Sequence, residues 1–328
     1  MKYIHLLLIL ITGISCQSQI NQKMNDTKNN PLLCDPETGS CEIPSTSSSV
    51  GDNTITKGNK PVKIIYYTDP ICSSCWGIEP QLRKLKLEYG EYFEIDYRMG
   101  GLLPDWSYNS GSISKPSDVA HHWDEASLYY QMPIDGDVWL EDPLDSSYPS
   151  CIAMKAAQMQ DPVKAIAFMR ILREGLYLDK KNIAKWENIA PAAKEAGLDV
   201  VKLKQDYDGG AKELFQKDLE LARRMGVRGF PTLFFSDGTV NQLTVYGSKP
   251  YDAYEKVILA LHPEAKKKSI SHEDSLYLFT HYPTLSVREY AEILDIPTVK
   301  AKEILEKHYR KGTLSRKAIK TGKLYSKK

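Results

Sequence analysis

The sequence predicts an α/β domain made of a strand–helix–strand unit, a helical insert and a helix–strand–strand–helix unit. Three observations carry this prediction. The β-branched and aromatic run "VKIIYYT" (62–68) leads into a Cys-x-x-Cys pair at the start of an amphipathic helix. Residues 105–205 are helical in composition and period, and "GVRGFPTLFF" then introduces a late strand. An α/β fold with an inserted helical layer follows.

The N-terminus has the pattern of an export signal (residues 1–16). Lys2 precedes an apolar stretch from Ile4 to Ile14, and Cys16 stands where such a signal is cut. This resembles the lipobox of bacterial lipoproteins, in which Cys16 would carry the lipid, although Gly13 departs from the usual leucine. An ordinary cleaved signal with an incidental cysteine is the alternative. Both predict an extracytoplasmic protein on the periplasmic side, and the first adds a membrane anchor.

Residues 17–60 are predicted to form a flexible tether, because they are polar and show no apolar period. The island "CDPETGSC", from Cys34 to Cys41, interrupts it with turn-forming residues. In an oxidising compartment these two thiols should be paired. Such a disulfide would be either a structural staple or a second redox pair. A flexible chain between it and the Cys-x-x-Cys pair would span about 30 Å, which does not exclude a relay.

The main domain is expected over residues 61–263. The helix after the first strand runs from Ser73 to Tyr89, and "YFEIDYRM" (92–99) is the second strand. After the insert we expect a helix over 211–225, a strand over 241–247 and a helix over 250–262. Aromatic side chains of the insert could line a peptide groove or pack in its core: Trp106, Trp123, Tyr129, Tyr130 and Trp139.

Residues 264–328 are expected to form a small basic helical extension. Ser286 and Glu289 make a capping box that opens a helix over 287–294, and a second helix starts at Thr298. From residue 300 on there are eleven Lys and Arg against two Glu. Export argues against DNA binding, and a net charge of +1 gives no field that recruits nucleic acid. A solvated tail and contact with anionic lipid headgroups both remain open.

The cysteine pair is the predicted chemical centre. Cys72 would lie at a helix N-terminus, where unpaired N–H groups and the helix dipole favour its thiolate, so it is the expected nucleophile. Cys75, one turn in, would resolve the mixed disulfide. A zinc site would need a second matched pair, and only the distant His121-His122 offers one, so neither a metal nor a cofactor is expected. Two inert structural thiols are the other alternative.

The flanks of the pair resemble the thioredoxin superfamily. Trp76 follows the cysteines, Pro80 would kink the helix, and Gly229-Phe230-Pro231-Thr232 resembles the cis-proline loop. The helical insert narrows the resemblance to the DsbA family. Within that family, "DPICSSCWGIEPQL" and "SYPSCIAMKAAQ" are similar to the branch of FrnE-like dithiol isomerases and YjbH- or SpxH-type Clp protease adapters. This resemblance covers about residues 62–262.

The resemblance implies a DsbA-like thioredoxin fold with a helical insertion, and it assigns site residues. Pro231 would be cis and face the disulfide, and its missing N–H would leave neighbouring backbone free to pair with an extended substrate. The surroundings of the site would be Ser73, Ser74, Trp76, Phe230 and Thr232.

Two departures from the family pattern bear on the chemistry. Ser73-Ser74 replaces the Pro-His pair of the strong oxidases, which predicts a milder oxidant. Relatives often place a buried carboxylate six residues before the first cysteine; here that residue is Tyr66, which puts a relay from this position in doubt. Glu79 is expected to be a solvated helix residue.

The expected function is extracytoplasmic thiol–disulfide exchange with protein substrates and a redox partner. Its reduction potential would decide whether it oxidises, reduces or isomerises. The alternative is a non-catalytic adapter or chaperone-like protein that keeps the fold and binds partners through its surface. An export signal favours the enzyme, because the protease served by the adapters is cytosolic. Cys151 would be either a reactive helix-start thiol or a small buried hydrophobe.

Overall fold

The computed structural model describes residues 34–35, 40–42, 59–108, 115–239 and 241–328. The predicted export signal with Cys16 and most of the predicted tether lie outside the described residues. The central layer is a four-stranded sheet with strand order β4-β3-β6-β7. Its strands are β3 (Val62–Thr68), β4 (Phe93–Met99), β6 (Thr232–Ser236) and β7 (Gln242–Tyr246). β3 pairs with β4 in parallel and with β6 antiparallel.

The first strand and helix place the cysteine pair. All residues of β3 are buried except Lys63, as expected for a central strand covered on both faces. The predicted helix over 73–89 is divided into α1 (Ser73–Gly77) and α2 (Glu79–Tyr89), with Ile78 between them. Pro80 falls in the first turn of α2, where an N–H has no helical partner to lose. The break leaves α1 as a short helix that contains Cys75 and has Cys72 as its N-cap.

The insert is helical, as predicted. Its helices are α3 (Pro116–Tyr130), α4 (Val138–Glu141), α5 (Tyr148–Gln160), α6 (Pro162–Asp179), α7 (Trp186–Glu195) and α8 (Val200–Asp208). Trp123 and Trp139 are buried and meet edge to face, with ring centroids 5.1 Å apart. The Trp106 indole is partly buried and donates to the Leu144 carbonyl at 2.8 Å. These aromatic side chains therefore build the core of the insert, while Tyr129 remains 53% exposed.

The second half of the domain closes the sheet. It consists of α9 (Ala211–Arg224), the two-residue strand β5 (Gly229–Phe230), strands β6 and β7, and α10 (Tyr251–Leu261). The predicted helices over 211–225 and 250–262 and the strand over 241–247 match these elements to within a residue at each end. Their apolar faces pack into the same hydrophobic core as β3 and the insert.

The extension contains strands as well as the two predicted helices. Its elements are β8 (Thr284–Ser286), α11 (Val287–Ile293), α12 (Thr298–Arg310), β9 (Leu314–Ile319) and β10 (Gly322–Lys327). β8, β10 and β9 form an antiparallel sheet in that order. Leu314 and Tyr325 are buried in its core, and Glu306 binds Arg316 and Lys323. Many of the basic residues therefore lie on a hairpin of β9 and β10, which the sequence did not predict.

The extension contacts the domain through several polar groups, among them two sets at opposite ends of its sequence. Near α2, Arg83 donates to the Thr284 carbonyl at 2.8 Å, and the Tyr282 hydroxyl donates to the Arg83 carbonyl at 2.9 Å. Near α3 and α4, Lys320 binds the carboxylates of Asp124 and Asp137 at 2.8 and 2.7 Å. These contacts tie the extension to the helix that follows the cysteine pair and to the insert. No helix within the described ranges has the length and apolar character to cross a membrane.

The cysteine island of the tether forms a β-hairpin. Strand β1 (Cys34–Asp35) pairs antiparallel with β2 (Ser40–Glu42), and the Cys34 backbone lies opposite that of Cys41. β2 also pairs antiparallel with β5, so that Cys41 lies opposite Phe230. The order β1-β2-β5 makes a second small sheet. The island is therefore docked on the domain, whereas the sequence predicted an interruption in a flexible tether.

Candidate redox site

The cysteine pair lies at the start of α1. Cys72 is the N-cap residue, and the Cys75 N–H donates to the Cys72 sulfur at 3.1 Å. The two cysteines form a disulfide, with α-carbons 5.2 Å apart. Both side chains have no exposed surface. The structure therefore shows the predicted pair in its oxidised form and enclosed by protein.

The proline loop lies at the same edge of the sheet as the disulfide. In the register of β3 and β6, Tyr67 is opposite Thr232, so the turn after β3 and the residues before β6 meet at one end. The Phe230–Pro231 peptide bond is cis, the geometry predicted for Pro231. Thr232 donates through Oγ1 to the Gly229 carbonyl at 2.6 Å, and so fixes the loop.

The loop is also held from its flanks. The Gly247 N–H donates to the Pro231 carbonyl at 2.9 Å. The Phe230 ring lies against the α-carbon of Gly100, where a β-carbon would overlap the ring. Phe230 and Thr232 are buried. The predicted neighbours of the cis-proline thus serve to position it.

The insert holds α1 in place. Ser74 and the Tyr130 hydroxyl form a hydrogen bond of 2.7 Å, and the Trp76 indole donates to the Pro133 carbonyl at 3.1 Å. Trp76 stacks on Tyr177 with centroids 5.5 Å apart, and the Arg170 guanidinium lies 4.3 Å from its ring centroid. Ser73 and Ser74 are buried as well. The segment around the disulfide is therefore rigidly supported.

Asp69 is a buried carboxyl that sequence reasoning missed. It accepts hydrogen bonds from the N–H groups of Ile71 at 3.0 Å and Leu102 at 2.7 Å. Ser147 Oγ at 2.9 Å and Cys151 Sγ at 3.2 Å complete its partners. Burial raises the pKa of Asp69 despite these donors. The sequence indicates this residue only as an acidic side chain in the mostly apolar segment between the first strand and Cys72.

Cys151 lies beside Asp69, away from the surface. Burial first and the Asp69 carboxylate second raise the pKa of the Cys151 thiol well above its usual value. Cys151 is therefore a protonated buried thiol, which agrees with the small-hydrophobe alternative. His121 is largely exposed and pairs with Glu125 at 3.0 Å. Within the described ranges no cluster of side chains is suited to hold a metal.

The buried guanidinium of Arg173 contacts the residues just before the cysteines. Arg173 donates to Glu79 and to the Thr68 hydroxyl, each at 2.7 Å, and to the Asp69 carbonyl at 3.2 Å. The expectation that Glu79 is a solvated residue is therefore wrong, because the buried guanidinium draws it into an ion pair. Burial raises the pKa of Tyr66 to about 12, so its hydroxyl remains protonated. Tyr66 thus does not replace the carboxylate that relatives place there.

Comparison with known proteins identifies the fold family. Residues 66–256 match the family described as Thioredoxin. The chain is 34% identical to the ClpXP adapter protein SpxH of Halalkalibacterium halodurans, over 90% of this chain and 97% of that protein. The protein of the same name from Bacillus subtilis is 29% identical over 80% of this chain and 86% of its own.

Solved structures resemble the thioredoxin-like part. A putative protein disulfide isomerase from Nitrosomonas europaea superposes with a TM-score of 0.52 at 20% identity, over 62% of this chain and 96% of that one. The cytosolic disulfide reductase DsbM from Pseudomonas aeruginosa gives a TM-score of 0.50 at 20% identity, over 61% and 99%. At this identity the superpositions show the fold alone. The chain belongs to the thioredoxin family, in the branch that contains the SpxH adapter proteins.

Proposed function

We propose that this chain is a protein-binding adapter of the kind named in its SpxH relatives. The observation that carries this proposal is the extent of the similarity. A match over 90% of the chain cannot omit the whole extension, which is about a fifth of it, whereas the solved disulfide enzymes cover only 61–62%. The extension is thus part of what the chain shares with adapters.

Burial of the disulfide supports the same proposal. An enzyme that acts on protein disulfides must present a sulfur to its substrate, yet the Cys72 and Cys75 side chains have no exposed surface. The insert instead exposes large apolar side chains. Leu128 is 75% exposed on α3, and Leu140 is 58% exposed on the neighbouring helix α4. Exposed apolar side chains of this kind suit a protein partner.

Binding of the full chain to purified ClpX tests the adapter proposal. We expect Cys72→Ser/Cys75→Ser to bind as wild type does, and Leu128→Ser/Leu140→Ser to weaken binding about tenfold, or ~1.4 kcal/mol. Val201→Ser is the matched control, because Val201 is 70% exposed on α8. Absence of ClpX binding by the wild-type chain would reject the adapter function.

Thiol–disulfide exchange with proteins is the second candidate. A disulfide at the N-cap of a helix, at the same sheet edge as a cis-proline, favours it. Insulin reduction with dithiothreitol measures this activity. Cys72→Ser should abolish turnover, and Cys75→Ser should trap mixed disulfides with substrate. Turnover that survives in Cys72→Ser would exclude this role for the pair.

With the second candidate, and not with the adapter function, we propose export and lipid anchoring at Cys16, on the sequence pattern of residues 1–16. Cell fractionation should find the protein with the membrane, and Cys16→Ser should release it into the soluble extracytoplasmic fraction. Native protein found in the cytosol with Met1 retained would contradict export. Location also separates the two functions, because an exported chain would not meet a cytosolic protease.

A further inference from the structure

We propose that Cys34 and Cys41 exchange electrons with the Cys72–Cys75 pair inside the same chain, and that strand β2 holds them at that site. The sequence left open whether the two cysteines form a staple or a second redox pair. The docking of the hairpin on the proline loop favours exchange. This inference goes beyond the adapter function and does not depend on it, because both cysteine pairs belong to this chain.

The strand register carries the inference. Residues opposite each other in an antiparallel pair have α-carbons about 4.5–5.5 Å apart. Cys41 is opposite Phe230, the residue before the cis-proline, and Glu42 is opposite Gly229. The proline loop and the Cys72 turn share one edge of the sheet, since Tyr67 pairs with Thr232. Backbone pairing therefore brings Cys41 to the edge where the disulfide lies.

The hairpin takes the place that an extended substrate was predicted to fill. A strand that adds to an exposed sheet edge gains its affinity from main-chain hydrogen bonds. β5 is only two residues long, and β2 is its neighbour in the small sheet. The segment Ser40–Glu42 thus binds as an internal peptide ligand, with a cysteine at its centre.

Burial of the active cysteine explains why an internal partner has the advantage. Cys72 has no exposed surface, so an external protein reaches its sulfur only if part of this chain moves. Strand β2 is already paired with the residues before the cis-proline. An unbound flexible tether would supply an effective concentration of about the millimolar range, and docking raises it further.

The exchange balances in two steps. The Cys41 thiolate attacks the Cys72 sulfur, the Cys41–Cys72 bond forms, and Cys75 leaves as a thiolate that takes up a proton. The Cys34 thiolate then attacks the Cys41 sulfur, and Cys72 leaves and is protonated. Two electrons pass from the hairpin to the Cys72–Cys75 pair, and two protons are lost on one side and gained on the other. The reverse sequence recharges the hairpin.

The register predicts which hairpin cysteine reacts. Cys34 is opposite Cys41 and thus one strand further from β5. In the full chain with Cys16→Ser, Cys34→Ser/Cys75→Ser leaves Cys41 with Cys72, and Cys41→Ser/Cys75→Ser leaves Cys34 with Cys72; the buried Cys151 remains in both. After reduction, oxidised glutathione should produce a Cys41–Cys72 disulfide at least tenfold faster than a Cys34–Cys72 disulfide. Peptide mass spectrometry identifies each bond, and the rate should not depend on protein concentration.

The substitutions at Cys34 and Cys41 could disturb the hairpin, so a second measurement uses the protein with both cysteine pairs intact. Fully reduced Cys16→Ser protein receives one equivalent of oxidant, and samples are alkylated over time. A disulfide should redistribute between the two pairs at a rate independent of protein concentration. Equal rates for the two trapping variants, or a disulfide that stays on the pair where it first forms, would overturn the exchange and leave a structural staple.

Discussion

Two fully buried carboxyls show how partners decide the charge of a side chain. Burial raises the pKa of Asp69, whose carboxylate accepts only from neutral groups. Burial would also raise the pKa of Glu289, but Arg170 and Arg83 outweigh it and lower that pKa. The two residues therefore make the stability of the fold depend on pH in opposite senses.

Asp69→Asn should destabilise the fold by about 1–3 kcal/mol, because the amide presents N–H to donors that the carboxyl accepts from. With its folded pKa raised, Asp69 stabilises fully below the ordinary value of about 4, and this contribution is lost as the pH rises through the folded value. Urea unfolding over a pH series measures both effects. The variant should lack this loss of stability, and an unchanged pH profile would contradict a raised pKa.

Gly100→Ala tests the close packing at the proline loop. A β-carbon at residue 100 would overlap the Phe230 ring, so we expect a loss of about 1–3 kcal/mol in the free energy of unfolding. Gly175→Ala is the control, because its nearest neighbour is Lys181 Cδ at 3.6 Å and it lies inside α6. There alanine should stabilise by about 0.5–1 kcal/mol. Equal effects of the two substitutions would refute the packing argument.

At the scale of elements, α11 is joined to the domain by a buried ion pair. Arg170, on α6, donates to both oxygens of Glu289 at 2.7 and 3.2 Å and also lies over Trp76. Glu289 closes the capping box by accepting from the Ser286 N–H at 2.7 Å. Glu289 also pairs with Arg83 at 3.2 Å, so a single carboxylate links the extension, the insert and α2.

Glu289→Ala should cost about 3–5 kcal/mol, because it leaves the buried Arg170 without this partner. Glu292→Ala on the same helix should cost under about 1 kcal/mol, because its pair with Arg288 is partly exposed. Since the folded pKa of Glu289 is lowered, its contribution is present above about pH 4.5 and is lost as the pH falls. Chemical denaturation at neutral and acidic pH checks both statements, and similar costs for the two variants would contradict them.

At the scale of the whole molecule, two hydrophobic cores are joined by apolar and polar contacts. One core lies mainly in the domain but includes Leu324 of β10, and the other lies in the extension, with Leu87 of α2 packed against it. Lys320 binds Asp124 and Asp137, and the Thr321 hydroxyl donates to the Ile134 carbonyl at 2.6 Å. These contacts, with the Glu289 pair, couple the two cores.

We expect the full chain to unfold in one cooperative thermal transition, because each core loses its polar contacts if the other unfolds. Glu289→Ala should separate this transition into two, with the extension unfolding first. Scanning calorimetry measures the transitions, and hydrogen exchange assigns them to residues 264–328 or to the domain. Two transitions in the wild-type chain would show that the cores are independent.

The sequence by itself determined the order of elements in the main domain and the position of the cysteine pair. The period of "VKIIYYT", the Cys72–Cys75 spacing and the Phe230-Pro231 context are local signals, since each depends on residues close in the chain. The structure contains the strand, the paired cysteines and the cis bond that these signals predict. Local patterns were sufficient to predict a feature wherever the position of its side chain depends on secondary structure alone.

Only the tertiary structure decided which partners the charged side chains and the short strands have. Asp69 and Arg173 are 104 residues apart, and Arg170 and Glu289 are 119 residues apart, so no local period joins them. The hairpin that contains Cys34 and Cys41 pairs with the two-residue strand β5. The polar residues around the hairpin gave no indication of this pairing. The extension was expected to be helical with a solvated basic tail, yet burial of Leu314 and Tyr325 folds that tail into strands. Long-range pairing and burial select among structures that the local sequence leaves open.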